Sequence, residues 1–279
     1  MKLLVILSLF FSYTLASAQT APESYKLVWS DEFDNQLKPS QEFWSYERGF
    51  VRNEEHQWYQ EDNAFIENGV LIFEGRKEKF KNPNYSPDSR SWRQSREYVE
   101  YTASSINTRG KFEFQYGRLE VRARIDPSVG LWPAIWTLGV NGEWPSNGEI
   151  DVMESYPSGG VPSILANVAW GTDRRYTAHW DSKVIPHTYF FNKDPEWPSK
   201  FHIWRMDWDE NYIRLYLDDE LLNETDLSKT INADGSNPFH QPHYILLNLA
   251  IGGQNGGDPT RASYPNRYEV DYVRVYQKK

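Results

Sequence analysis

This chain has no sustained 3.6-residue hydrophobic period; it has short runs of strict alternation instead. In 111–125, Phe112, Phe114 and Tyr116 alternate with polar residues. The pattern breaks at Gly117 and resumes with Leu119, Val121, Ala123 and Ile125. Trp204, Met206 and Trp208 alternate with Arg205 and Asp207. Asp209-Glu210-Asn211 then turns the chain into Ile213, Leu215 and Leu217, Asp218-Asp219 turns it again, and 270–276 reads as a final strand. Period-two alternation gives each strand one face for a core and one for solvent or a ligand. Many short strands with frequent turns predict an all-β sandwich or barrel. Two polar, Pro-containing stretches, 79–100 and 172–200, resist strand assignment and are expected to be loops walling a cleft. No internal repeat, low-complexity linker or second domain is visible.

One strand-like run departs from the pattern. Glu149-Ile150-Asp151-Val152-Met153-Glu154 places three carboxylates among apolar residues. Alternation puts Glu149 and Asp151 on one face, but odd spacing turns Glu154 to the other. One extra residue in a β-bulge between Asp151 and Glu154 returns it to the same face. Two carboxylates flanking a glycosidic bond, with a third tuning them, give such a face a chemical use. A solvated acidic edge or a cation site are the alternatives open on these residues alone.

Residues 1–18 have a positive start at Lys2, an apolar run and an Ala16-Ser17-Ala18 cleavage site, so they read as a secretory signal. The mature chain is expected to begin at Gln19, as one domain over 19–279 that is secreted or periplasmic. No later run is apolar enough to span a bilayer. With no cysteine in the sequence, the core must hold an exported chain together without disulfides, and a lipid anchor is excluded. A net charge of −9 argues against nucleic acid or an anionic membrane as partner. The twelve Trp residues, together with the acidic balance, fit a polysaccharide cleft as well as a packed core.

Ordered motifs then carry a resemblance. Leu131-Trp132-Pro133-Ala134-Ile135-Trp136, Trp144-Pro145 and Gly148-Glu149-Ile150-Asp151-Val152-Met153-Glu154 resemble glycoside hydrolase family 16, in its bulged, laminarinase-like branch. Leu27-Val28-Trp29-Ser30-Asp31-Glu32-Phe33-Asp34, Asn53-x-Glu55-x-Gln57-x-Tyr59, Tyr116-Gly117-Arg118 and Leu247-Asn248-Leu249-Ala250-Ile251-Gly252-Gly253 fit as well, so the resemblance covers nearly the whole mature chain. It implies a β-jelly roll of two curved antiparallel sheets with an open substrate cleft. It also implies endo-acting, retaining hydrolysis of a β-glycan, with Glu149 as nucleophile, Glu154 as general acid/base and Asp151 between them.

The resemblance further places Trp132, Trp136, Trp144 and Trp170 in or beside the cleft, with core packing as the alternative for each. Asn53 is expected to hydrogen-bond sugar, or else simply to form a turn. His179 is expected near the acid/base, or displaced into a surface loop. The chain departs from the family at Ser105, where relatives often carry an Arg that contacts substrate. The chemistry needs no cofactor. Many relatives hold one structural Ca²⁺, and by motif position its ligands here would include Asp271 and backbone oxygens of Gly69 and Glu32, a hard cation with oxygen donors. The expected partner is a β-1,3- or mixed-linkage β-1,3-1,4-glucan, met by a monomer. A β-galactan hydrolase (agarose, porphyran or carrageenan) and a non-catalytic glycan-binding module are the alternatives. Arg174, Arg175, Arg90, Arg93 and Arg96 keep the first open, and the three intact acids argue against the second.

Overall fold

The structure, a computed structural model, describes residues 24–34 and 36–279; the expected signal and its cleavage site lie outside the described residues. In chain order the strands are β1 (Tyr25–Asp31), β2 (Ser45–Tyr46), β3 (Gln57–Tyr59), β4 (Ala64–Glu67), β5 (Val70–Gly75), β6 (Phe80–Lys81), β7 (Tyr98–Val99), β8 (Tyr101–Ala103), β9 (Ser105–Asn107) and β10 (Gly117–Arg124). They continue with β11 (Leu131–Gly139), β12 (Glu149–Ser158), β13 (Val161–Gly171), β14 (Ala178–Pro186), β15 (His202–Trp208), β16 (Tyr212–Leu217), β17 (Glu220–Asp226), β18 (His243–Ile251) and β19 (Asn266–Lys278).

Two antiparallel sheets take most of them. One runs β14-β13-β12-β11-β18-β9-β2; the other runs β17-β16-β15-β10-β19-β5-β4, with β1 also paired to β19. The expected sandwich of two antiparallel sheets is thus observed, and the alternation read in 204–208 and 213–217 explains it. Trp204, Met206, Trp208, Ile213, Leu215 and Leu217 from one sheet meet Ile135, Ile150, Val168, Ile245, Leu247 and Leu249 from the other in a single buried cluster. At about 25 cal/mol per Å² of apolar surface removed from water, such a core replaces the disulfides the chain lacks.

The opposite face of the seven-stranded sheet is free of the core, and a cleft of 820 Å³ lies over it. A second, smaller apolar cluster of Ala134, Trp136, Tyr244 and Leu246 sits on that face.

Two loop expectations need correcting. Within 172–200 the chain forms β14, helix α2 (His187–Lys193) and a 3₁₀ turn at Trp197–Ser199. Strand β14 is an edge strand, exposed on both faces, and its sequence therefore shows little hydrophobic alternation. The other stretch, 79–100, is largely irregular, with β6, β7 and the one-turn helix α1 (Trp92–Ser95), which precedes α2 in the chain. In 111–116 only the Phe114–His243 bridge is strand-like.

Candidate active site

Strand β12 enters from Gly148, whose φ is +80° and whose missing side chain leaves room for Pro238 and Phe239. Along β12, Glu149 pairs with Ala169 and Asp151 with Asn167, but the next pair is Glu154 with Leu165. Two residues, Val152 and Met153, therefore stand against Ala166 alone, and both are fully buried in the core between the sheets. This is the expected bulge, and it brings Glu149, Asp151 and Glu154 together on the cleft floor.

Each glutamate is held by an indole. Trp144 Nε1 donates to Glu149 Oε2 at 2.8 Å, and Trp132 Nε1 donates to Glu154 Oε1 at 2.8 Å. Asn167 Nδ2 donates to Glu154 Oε2 at 3.0 Å and reaches Asp151 Oδ2 at 3.5 Å. Burial raises Glu149 to about 7, the Glu154 charge adds to that, and the Trp144 bond and the Arg52 guanidinium oppose it. Burial likewise raises Glu154 to about 7, against the Trp132 and Asn167 bonds, while the Glu55 charge raises it further. Asp151, only 2% exposed, is raised well above the carboxylate range by burial and by both glutamate charges. A protonated Asp151 donating toward either glutamate favours that neighbour's charge.

The structure sorts the other expected residues. Trp132, Trp136, Trp144 and Asn53 all line the cleft. Trp136 is nearly buried: its Nε1 donates to Asn248 Oδ1 at 2.7 Å, and the Arg52 guanidinium lies 5.0 Å from its ring centroid. Asn53 has φ +52°, and its carbonyl accepts from the Gln254 backbone N–H at 2.9 Å. It is therefore both a turn residue and a wall of the cleft.

Trp170 and His179 do not line it. The cleft face of β13 is Leu165, Asn167 and Ala169, so Trp170 turns to the other face and packs against the core. His179, in register with Trp170, lies against it with ring centroids 5.6 Å apart and the planes tilted by 32°, and it shares the same face of the sheet.

Several cleft residues escaped the sequence reading: Arg52, Glu55, Tyr156, Asn167, Tyr176 and Trp180. Asn167 had a signal, because it stands two residues from Leu165 and Ala169 on the strand expected beside β12. Arg52 is a cation in the cleft wall. It pairs with Glu47, and Ser105 Oγ donates to that same carboxylate at 2.6 Å.

The calcium expectation does not fit. Glu32, Gly69 and Asp271 come to one end of the eight-stranded outer sheet, the one that holds β1, β5 and β19, since Asp31 pairs with Val273 and Val270 with Leu71. But the Asp271 carboxylate is held by Arg122 at 2.6 Å, and the Glu32 carboxylate is held by Arg274 at 2.9 and 2.7 Å. A guanidinium already occupies the one side chain a cation would need. Among the described residues no group of three His, Cys, Asp or Glu side chains could hold a metal ion.

Residues 52–274 match the family described as glycosyl hydrolases family 16. A β-glucanase of Rhodothermus marinus is 34% identical over 91% of this chain and 85% of its own length. Among solved structures, the laminarinase catalytic domain of Thermotoga maritima is 31% identical with a TM-score of 0.73, over 92% of this chain and all of that one. A structure from work on endo-acting O-glycanases, which members of the human gut microbiota express to initiate mucin breakdown, is 34% identical with a TM-score of 0.82, over 93% of each chain. The chain belongs to glycoside hydrolase family 16.

Proposed function

We propose that this chain is a secreted, retaining endo-β-glucanase that cuts β-1,3- or mixed-linkage β-1,3-1,4-glucan by double displacement. The observation that carries the reading is the bulge in β12, which sets two indole-held glutamates and a buried aspartic acid on the floor of an open cleft.

In the first step the Glu149 carboxylate attacks the anomeric carbon while Glu154 gives its proton to the glycosidic oxygen, so the C–O bond breaks and a glycosyl ester forms. Forming the ester removes the Glu149 charge, which weakens the hold of Glu154 on a proton. Glu154 then takes a proton from water as that water attacks the anomeric carbon and frees Glu149. Arg52 favours the ionised form of Glu149 and Glu55 the protonated form of Glu154, the directions that the two roles require. No cofactor enters these steps. A calcium ion on the outer sheet would be structural only and would have to displace Arg122 from Asp271.

The chain acts as a monomer after cleavage near Ala18, with no nucleic-acid or membrane partner; among the described residues no helix is long and apolar enough to cross a membrane. A second reading, an endo-hydrolase of a different glycan such as a β-galactan, draws support from the TM-score of 0.82 to the O-glycanase structure. Product sizes on laminarin, barley β-glucan, lichenan, agarose, porphyran and mucin decide between them. Glucans cut to short oligomers support the first reading and cutting of the others alone supports the second. Glu149→Gln should abolish turnover and leave glycan binding.

A further inference from the structure

The edge strands of the two sheets, β14 and β17, meet at one side of the sandwich. Polar bridges from β17 close the seam: Thr225 Oγ1 donates to Asp181 Oδ2 of β14 at 2.9 Å, and Asn223 Nδ2 reaches past it to Ala166 O of β13 at 3.1 Å. Beside them opens a pocket of 510 Å³, within the roughly 300–1,000 Å³ usual for ligand sites. Trp170, Trp180 and Tyr212 give it aromatic walls, and Asp226 and Lys229, paired with each other at 3.4 Å, give it a carboxylate and an ammonium.

Trp180 lines both this pocket and the catalytic cleft. It is reached from the catalytic row in two steps, because Glu149 pairs with Ala169 and Ala169 with Trp180. Two strand spacings, about 10 Å, separate the backbones of Glu149 and Trp180. The indole is 47% exposed on an edge strand, and it is flanked on the cleft side by exposed Tyr176 and Val184. Together these side chains present apolar surface that runs from the pocket to the cleft. Aromatic planes suit the C–H faces of sugar rings, and the carboxylate and ammonium suit their hydroxyls. Asp226 pairs with Lys229 and Glu224 with Arg214, so Asp181 leaves the lining net acidic, which disfavours a sulfated or carboxylated sugar.

We propose that this pocket is a second glycan-binding site, which holds neutral pyranose units of the same polysaccharide whose scissile bond lies over Glu149 and Glu154. Trp180 is the bridge between the two sites. The inference rests on the reading of the cleft as a place of glycan hydrolysis. Its consequence is selective: long chains gain from the pocket and short oligosaccharides do not.

The test uses the full chain and three variants: Trp180→Ala, Tyr212→Ala, and Tyr212→Ala combined with Lys229→Glu. Trp170 is left alone because it packs on the core. Retardation is measured in gels containing laminarin, barley β-glucan or agarose, and kcat/KM is compared between the polymer and a tetrasaccharide of the same linkage. Trp180→Ala should lose retardation. The double variant, which touches only the pocket, should bind polymer about tenfold more weakly, as truncation of an anchoring contact costs. Its polymer-to-tetrasaccharide kcat/KM ratio should fall by a similar factor. Unchanged retardation and ratio in the double variant overturn the inference. Should the unmodified chain be retarded yet cut nothing, the hydrolysis reading fails, and the retardation of the same variants still decides the pocket. A chain neither cutting nor retarded by any of the polymers overturns both.

Discussion

Trp144 Nε1 donates to Glu149 at 2.8 Å across only five residues of sequence, because the turn at Gly148 folds the indole back over the start of β12. Trp132 does the same for Glu154 from the neighbouring strand β11. The two indoles are aromatic walls of the cleft, and they also stabilise the charge on one glutamate each.

That pairing gives a test of which glutamate attacks. Trp144→Phe removes a donor from ionised Glu149, so the acid limb of the kcat/KM profile should move up. Trp132→Phe removes a donor from ionised Glu154, so the alkaline limb should move up. A hydrogen bond to a charged group contributes about 1.5–3 kcal/mol net and one pKa unit is about 1.4 kcal/mol, so a shift of roughly 1–2 pH units is expected in each case. Exchanged limbs would mean exchanged roles.

The carboxyl trio should cost stability at neutral pH. All three hold protons more tightly in the folded chain than in the unfolded one. Their contribution is fully present below the unfolded carboxylate pKa near 4 and is lost as pH rises through about 7. Glu149→Gln should therefore melt with the unmodified chain at pH 4.5 and above it at pH 8. Each kcal/mol recovered raises Tm by about 2–4 °C in a chain of this size. Calorimetry at the two pH values checks this; equal gaps at both would contradict it.

Buried His243 and His187 act in the opposite sense. Burial lowers each to about 4, and His243 is fixed between Thr137 Oγ1 and the Pro238 carbonyl. The unfolded chain binds their protons first, so this stability is present above about 6.5 and is lost as pH falls toward 4. Acid unfolding followed by tryptophan fluorescence should be less steep in His243→Gln.

Metal removal should be silent. With Arg122 on Asp271, EDTA should shift Tm by less than about 1 °C and leave the rate unchanged, since only a ligand of the folded state stabilises it. A clear fall in Tm restored by Ca²⁺ would show that Arg122 yields its place.

The bulge was legible because three carboxylates and two adjacent apolar residues leave few other ways to bury Val152 and Met153. The strands 202–208 and 212–217 were legible from alternation alone. Trp170 was misplaced for a reason internal to β13: its facing depends on pairing with β12, and one step of parity exchanges cleft for core. Strand β14 and with it Trp180 were missed because an exposed edge strand carries no burial pattern. Arg52 was missed because its partners, Glu47 and Ser105, come from distant parts of the chain that only the fold brings together.

Glu149 and Glu154 are assigned here to work as a retaining pair. Proton NMR of the first product formed from laminarin, or from whichever polymer the chain cuts, tests this assignment most directly. The β-anomer should appear first and the α-anomer only later, by mutarotation. An α-anomer formed first would mean inversion by a single displacement, and would contradict the assignment of Glu149 as nucleophile.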